Sequence, residues 1–340
     1  MNMHKVKTAV VILNWNGRHM LERFLPSVVA NTTGDAEVVV ADNGSTDDSI
    51  AFLKKHYPML RLISMERNYG FAEGYNRALA QIEAEYYVLL NDDVEVTPAW
   101  NEKVVALMET DPAIAIAQPK MLMFDQRNRF EYAGGAGGYI DKLGYPFCRG
   151  RLFDTIEQDQ GQYADTREVF WASGAAMFVR ASVWKELGGL DADFFAHMEE
   201  IDFCWRAKIK GYKVIATSEA EVYHVGGGTL PKSSPFKTQL NFRNNLAMLY
   251  KNLPDKRQRS VLRLRIVLDW VAALSFLLKG NAGEFRAVFK AHREFRQWLP
   301  ALRIKRAAIQ PHEVSCIYPK SLLVQYHLKG RKHFGQLPLK

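Results

Sequence analysis

Four short apolar runs, at residues 8–13, 37–41, 61–63 and 86–90, are separated by segments of helical spacing, and this alternation restricts the fold more than any other feature. Such runs suit strands buried on both faces, and strands alternating with helices build a mainly parallel sheet covered on both sides. Residues 20–30 carry the first helical pattern, with Pro26 set to kink or end it. Ser45 or Thr46 is placed to cap a second helix reaching about His56, with Asp47 and Asp48 in its first turn, and residues 72–82 supply a third. The expected class is α/β, a mixed and mainly parallel nucleotide-binding sheet with helices on both faces.

Beyond Pro98 the pattern loosens. A helix is expected over 99–108, a short strand over 114–118, and a strand within 173–179. Gly188-Gly189 and Gly211 are placed to stop helices over 181–187 and 198–210, with a strand at 213–216 after them. The glycine-rich stretch 133–138 lacks the Lys and Ser/Thr of a phosphate loop and reads as a flexible surface loop.

The fourth apolar run leads straight into Asn91-Asp92-Asp93. A buried strand has no use for paired anions, whereas hard cations such as Mg²⁺ or Mn²⁺ bind carboxylates together with substrate phosphates. In open α/β sheets ligands collect beyond the carboxyl ends of the strands, where this pair emerges. The first two strands end there as well, in Asn14-Trp15-Asn16-Gly17 and Asp42-Asn43-Gly44-Ser45. Asp42 is suited to accept a hydrogen bond from a base or ribose. Asn68, Gly70, Gly74 and Asn76 fall in a stretch whose small residues let a nucleotide approach a helix N-terminus. Downstream, Glu199-Glu200-Ile201-Asp202 offers acids and His224 an imidazole beside Gly226-Gly227-Gly228-Thr229. Asp202 also stands one turn from Arg206, a spacing that favours a simple ion pair. Trp171 and Trp205 suit either sugar stacking or packing.

Charge is divided unevenly. Residues 251–340 hold 19 Lys and Arg against 5 Asp and Glu, a net +14, whereas residues 1–250 stand at −6 within a total of +8. With no zinc-finger spacing and no aromatic RNA-binding signature, this asymmetry points to an anionic membrane surface rather than to nucleic acid. The apolar portion at 271–278 is too short to span a bilayer, and Asp269 is costly there, so residues 260–278 suit a helix lying in the headgroup layer or one packed on the remainder. Three scattered cysteines and the lack of an apolar leader place the chain in the cytoplasm, peripheral on the inner face of the plasma membrane. Two units are expected: residues 1–250, and a basic, partly amphipathic helical region over 251–340. Nothing in the sequence sets the oligomeric state.

Taken in order, the motifs Val-Ile-Leu-Asn-Trp-Asn-Gly, Asp-Asn-Gly-Ser-Thr-Asp, Asn-x-Gly-Phe-Ala-x-Gly-x-Asn, Leu-Asn-Asp-Asp-Val, Ser-Gly-Ala, Glu-Glu-x-Asp-Phe-Cys-x-Arg and Tyr-His-x-Gly-Gly-Gly strongly resemble glycosyltransferase family 2, particularly its rhamnosyltransferase-like branch. The resemblance covers about residues 7–250 and implies a GT-A fold and inverting transfer from a nucleotide-diphosphate sugar, with deoxythymidine-diphosphate-rhamnose the first candidate. It implies that Asn91-Asp92-Asp93 stands for the Asp-x-Asp motif, with Asp93 the direct metal ligand and His224 completing the site. By the same resemblance Asn14, Asn16, Asp42, Asn68, Gly70, Gly74, Asn76 and Asp92 bind the nucleotide sugar. Glu200 is the catalytic base with Glu199 beside it, and Trp171, Ser173, Gly174 and Asp202 lie toward the acceptor, a saccharide or lipid-linked saccharide of cell-surface polysaccharide synthesis. Processive members carry Gln-x-x-Arg-Trp. Here that region reads Asn241-Phe242-Arg243-Asn244-Asn245, so transfer of one or few sugars per encounter is expected. A sugar-1-phosphate nucleotidyltransferase would place Arg and Lys in a glycine-rich signature after the first strand, which Asn14–Arg18 does not match, and a non-enzymatic membrane scaffold would not need this set of acids.

Overall fold

The structure, a computed structural model, describes residues 6–226 and 234–338; Gly227, Gly228 and Thr229 of the last motif lie outside the described residues. The front of the chain alternates as expected: β1 (Val6–Asn14), α1 (Arg18–Asn31), β2 (Ala36–Asp42), α2 (Ser49–His56), β3 (Arg61–Ser64), α3 (Gly70–Leu79) and β4 (Ala84–Asn91). After these come β5 (Val94–Val96), α4 (Trp100–Glu109), β6 (Ile114–Met123), β7 (Gly138–Asp141), β8 (Pro146–Cys148), β9 (Arg151–Leu152), β10 (Thr155–Ile156) and β11 (Arg167–Glu168). The remainder holds β12 (Ala176–Arg180), α5 (Ala181–Leu187), α6 (Glu199–Ile209), β13 (Lys213–His224), α7 (Pro235–Asn252), α8 (Asp255–Leu278), α9 (Ala282–Ile309) and β14 (Ile317–Tyr318).

The main sheet runs β11-β13-β6-β12-β4-β1-β2-β3, with β5 against β13. Strands β3, β2, β1 and β4 are parallel, and β12 enters antiparallel between β4 and β6. Adjacent residues on β1 point to opposite faces, and Val10 and Val11 are both fully buried. Each lies in a different apolar cluster, so helices cover the sheet on both sides. A smaller sheet, β10-β9-β8-β7-β14, joins the middle of the chain to its end. Phe334 and Leu337 pack into the same core as β1 and β4.

Several local expectations are corrected. Helix α1 continues through Pro26. Helix α2 starts at Ser49 with Asp48 at its N-cap, because Ser45 is held by Asn14 and Asn16 instead. The strands β6 and β13 outrun their apolar signals, since they pair with each other along most of their length. The glycine-rich stretch is not a surface loop: Gly134 to Gly138 are buried. A Cβ on Gly138 would overlap the Trp171 ring, so glycine there permits packing rather than flexibility. Trp171 donates from Nε1 to the Tyr139 carbonyl at 2.9 Å and is enclosed, as is Trp205 against Phe170. Neither indole offers a free face to a sugar, so both are packing residues.

Gly188 ends α5 in the left-handed conformation at φ 71°, as its position predicts. Removing the Trp171 indole leaves a cavity over Gly138, so Trp171→Ala is expected to lower stability by about 3–5 kcal/mol in denaturant unfolding.

Candidate active site

Strand register assembles the candidate site. Asn14 lies opposite Asp42 and Leu13 opposite Asn91, so three strands release their polar ends at one edge. Asn14 Nδ2 donates to Asp42 Oδ1 at 2.9 Å and to Ser45 Oγ at 3.1 Å, and the Ser45 amide donates to Asp42 Oδ2 at 3.0 Å. Asn16, at φ 52°, accepts from the Thr46 amide at 2.7 Å. The structure therefore brings Asn14, Asn16 and Asp42 together, but bonded to one another. Asp42 has no exposed surface, which makes it a buried anchor of the loop rather than an open base contact.

The next motif behaves the same way. Asn43 Nδ2 bridges Asn68 Oδ1 and the Gly70 carbonyl, and Asn68 Oδ1 accepts from the Gly70 amide at 2.8 Å. Asn76 exchanges two hydrogen bonds with the backbone of Leu190, and Gly74 packs against Leu13. The amides of Phe71 and Ala72, at the start of α3, donate to the Phe195 carbonyl at 2.7 and 3.2 Å. Asn68 and Asn76 are thus braces, and the α3 amides expected to meet an anion hold a loop instead.

At the end of β4, a Cβ on Gly17 would collide with Asp92 Oδ2 and Asn14 Oδ1, so glycine there lets the carboxylate lie close. Burial and the neighbouring Asp93 raise Asp92 to about 7. Asp93 turns the other way. Pairing of β5 with β13 sets His224 opposite Val94, and His224 Nε2 meets Asp93 Oδ1 at 3.0 Å. Its Nδ1 lies 3.3 Å from Glu131, a buried acid that no motif had marked. Burial opposes charge on this imidazole, but Asp93 and Glu131 outweigh it and raise His224 to about 10, while the pairing holds Asp93 below its ordinary range. His224 is therefore engaged by the carboxylate it was expected to join as a ligand, and a cation bound there would displace the proton from its Nε2.

The donors at this edge nonetheless fit a divalent cation. Asp92, Asp93, Asn91 and His224 offer oxygen and imidazole donors, and Asp92 makes no ion pair among the described residues. Among the described residues no three His, Cys, Asp or Glu side chains form a ready metal group. Oxygens of a ligand are then needed to complete a coordination shell.

The acids of α6 are presented by an unusual loop. Phe195, His197 and Met198 all have positive φ, at 65°, 71° and 74°. Non-glycine residues held there cost about 1–3 kcal/mol each and persist only when neighbours hold them. Asn244 on α7 does so: its Nδ2 donates to the carbonyls of Phe194, Ala196 and His197 at 2.9, 2.9 and 2.8 Å. Arg243 adds a bond to the Phe194 carbonyl at 3.3 Å.

At the end of this loop Glu199 is buried, whereas Glu200 is partly exposed, and each keeps an oxygen without a hydrogen-bond partner. Burial raises Glu200 to about 7; burial and then Glu200 raise Glu199 well above its ordinary value. A Cβ on Gly174 would lie 3.7 Å from Glu200 Cβ, so Gly174 does stand beside the acid. Ser173 is turned inward, its amide donating to Gln118 Oε1 at 2.9 Å. Asp202 is fully buried and bonded to Arg206, Lys251 and Asn252, so it cannot meet an acceptor. The buried Cys148 thiol lies within electrostatic reach of both Glu131 and Glu200, which ties the two acidic groups to one region.

The family model described as Glycosyl transferase family 2 matches residues 9–188. The chain belongs to glycosyltransferase family 2. N-acetylglucosaminyl-diphospho-decaprenol L-rhamnosyltransferase of Mycobacterium tuberculosis is 27% identical over 231 residues, covering 63% of this chain and 75% of that protein. The low-salt glycan biosynthesis hexosyltransferase Agl10 of Haloferax volcanii is 23% identical over 274 residues, 77% of this chain and 82% of its own. Among solved structures, Staphylococcus aureus TarS 1–349 in complex with UDP-GlcNAc superimposes with a TM-score of 0.57 at 16% identity, over 96% of this chain and 93% of that one. GalNAc-T7 with UDP, GalNAc and Mn²⁺ also gives 0.57, at 18% identity over 75% of this chain and 49% of its own. The GT-A fold and the rhamnosyltransferase-like character expected from the motifs are borne out, and the family 2 chain is a glycosyltransferase.

The matched segment ends before the loop that presents Glu199 and Glu200, so Asn244 lies outside it. Its signal was local: an amide in an apolar helix, two residues from a leucine, gives no hint of three carbonyl partners nearly fifty positions away. Asn244→Leu keeps the volume but strands buried carbonyls, at about 1–3 kcal/mol for an unsatisfied group. The expected result is a lowered Tm together with a loss of sugar transfer larger than any loss of nucleotide-sugar binding, measured by thermal unfolding, turnover and calorimetry.

Proposed function

We propose that this enzyme inverts the anomeric carbon of a nucleotide-diphosphate sugar, deoxythymidine-diphosphate-rhamnose in the first instance, as it transfers one sugar to a hydroxyl of a lipid-linked saccharide. The observation that carries the reading is Glu200: partly exposed, one oxygen unpartnered, and raised to about 7 by burial. A base is most effective when its pKa lies near the working pH. As the acceptor oxygen forms its bond to the anomeric carbon, Glu200 takes the hydroxyl proton, and the sugar–phosphate bond breaks with its electron pair leaving on the nucleoside diphosphate. Attack from the face opposite the leaving group inverts the centre. Glu199, enclosed behind Glu200 and raised well above its ordinary value by burial and then by the Glu200 charge, is the member of the pair that keeps its proton.

Asp93, Asp92, Asn91 and His224 would hold Mg²⁺ or Mn²⁺, which neutralises charge on the departing diphosphate. Solved neighbours in the same fold are described with Mn²⁺ and UDP or GDP-Man, which supports a nucleotide sugar with a divalent cation. The name of the mycobacterial relative supports rhamnose as the sugar and a diphospho-polyprenol saccharide as the acceptor. Such an acceptor would bring the enzyme to a membrane surface, which supports the inner face of the plasma membrane as its location. No helix among the described residues is long and apolar enough to cross a membrane, so attachment would be peripheral.

Four measurements check this reading. Asp93→Ala is expected to lose most transfer and the Mn²⁺-dependence of nucleotide binding while remaining folded; full activity of the unaltered enzyme in EDTA would overturn the metal assignment. Glu200→Gln should bind donor normally and turn over about 10²–10⁴-fold more slowly. Because a base must be deprotonated, turnover of the unaltered enzyme should fall as pH drops through about 7, the value to which Glu200 is raised, and the residual rate of Glu200→Gln should lack that limb. A mixture of labelled sugar nucleotides then decides the donor, with no transfer from deoxythymidine-diphosphate-rhamnose counting against it.

A further inference from the structure

Helix α8 is built inside out. Its buried row, Val261, Arg265, Asp269 and Ala273, recurs every fourth residue and carries the polar groups. Asp269 is paired with Arg265 at 3.4 Å and His292 at 3.1 Å, and Arg265 donates to the Leu143 carbonyl. The outward row is apolar: Leu264, Val267, Val271, Leu274 and Leu278 follow each other at steps of three and four, with Trp270 and Leu277 alongside. Trp270 is 48% and Leu278 80% exposed, and no described element covers this face. Between Lys256 and Gly283 the only acid is the buried Asp269.

Five positions past Leu278, Gly283 lines a cleft of about 630 Å³ between α7 and α9. Phe236, Ala287 and Phe289 form its apolar wall, and Arg286, Lys290 and Arg293 are exposed at its rim. Of the acids near it, Glu294 is engaged by Arg243 at 3.0 Å and Gln239 at 2.7 Å and lies 4.0 Å from Lys290, and among the described residues Arg286 and Arg293 make no ion pair. One wall of the cleft touches the loop that presents Glu200: the Phe236 ring stands 6.1 Å from that of Phe195, the first strained residue of that loop.

We propose that the α7–α9 cleft and the outward stripe of α8 form the binding surface for the membrane end of the acceptor, an amphiphile with an apolar chain and a diphosphate head. The reading rests on transfer to a lipid-linked saccharide. The stripe lies in the acyl boundary of an anionic bilayer, Arg286 and Arg293 take the diphosphate, and the saccharide extends past Phe195 to Glu200. Charge complementarity selects this occupant over a second copy of the chain, which would bring the same cations face to face. An apolar stripe with a basic flank supplies the two signals that reversible membrane attachment needs.

The test uses the full chain and three kinds of vesicle: phosphatidylcholine alone, and phosphatidylcholine doped to equal surface charge with phosphatidylglycerol or with a polyprenyl diphosphate. Trp270 fluorescence and cosedimentation should show tightest binding to the polyprenyl diphosphate vesicles. Arg286→Glu with Arg293→Glu should remove that preference and weaken binding roughly tenfold or more, since a basic residue near an anionic surface contributes about a factor of five to ten. Leu274→Asn with Leu278→Asn should weaken binding to every vesicle while thermal unfolding stays close to that of the unaltered chain, because both side chains are exposed. Equal binding to the two anionic vesicles, or a preference that survives the double charge reversal, overturns the cleft assignment. Self-association without vesicles that the Leu274 and Leu278 changes abolish overturns it in favour of a second copy. Hydrolysis of sugar nucleotide by the unaltered chain in the absence of vesicles reports on the transfer reading separately.

Discussion

A fully buried carboxylate on α6 holds the front of the molecule and its helical hairpin together. Asp202, on the first turn of α6, accepts from Arg206 on its own helix and from Lys251 and Asn252 at the end of α7. Lys251 also reaches Asp191, which Lys305 of α9 engages from the other side, and these two lysines hold Asp191 below its ordinary range against the opposing effect of burial. A buried charge that loses its partner costs several kcal/mol, so the arrangement is stable only when all of these groups are in place. The helical hairpin is thereby locked to the helix that carries Glu199 and Glu200.

This lock explains how a strained loop survives beside the acids. Residues 195–198 cannot relax while α3 holds the Phe195 carbonyl on one side and Asn244 the neighbouring carbonyls on the other. Gly70, at φ 79°, is needed there because a Cβ would stand 2.7 Å from the Phe195 carbonyl oxygen. The donor-side motif and the acid-bearing helix are thus parts of one hydrogen-bonded unit, and both depend on α7. Burial then does the chemical tuning, since Glu200 and Asp92 are raised for the same reason, removal of a carboxylate from water, and each is left without a cation of its own.

The sequence by itself determined the alternating front half, because a period of two within strands and of nearly four within helices is written in the order of apolar residues. It also determined where the acids emerge, since Asn14, Asp42 and Asn91 each end an apolar run and parallel pairing brings such ends to one edge. The motif order was specific enough to establish the family and the Glu200 and Asp93 candidates. What it could not convey was which polar residues face outward. Asp42, Asn68, Asn76 and Asp202 have the residue types of a binding site, yet each is consumed by partners that lie far away in sequence.

Only the tertiary structure decided the remaining points, and the reason is the same throughout: they depend on contacts between distant segments. Glu131 joins His224 because β6, β13 and the loop after β6 converge. The glycine-rich stretch is buried because Trp171 covers it, and α7 supports the loop before Glu200 because Asn244 faces carbonyls set by other residues. Helix α8 shows the limit most plainly. Its composition suits either a packed helix or one lying on a membrane, and the choice of which row faces the protein was made by Arg265, Asp269 and His292, whose pairing turns the apolar row outward.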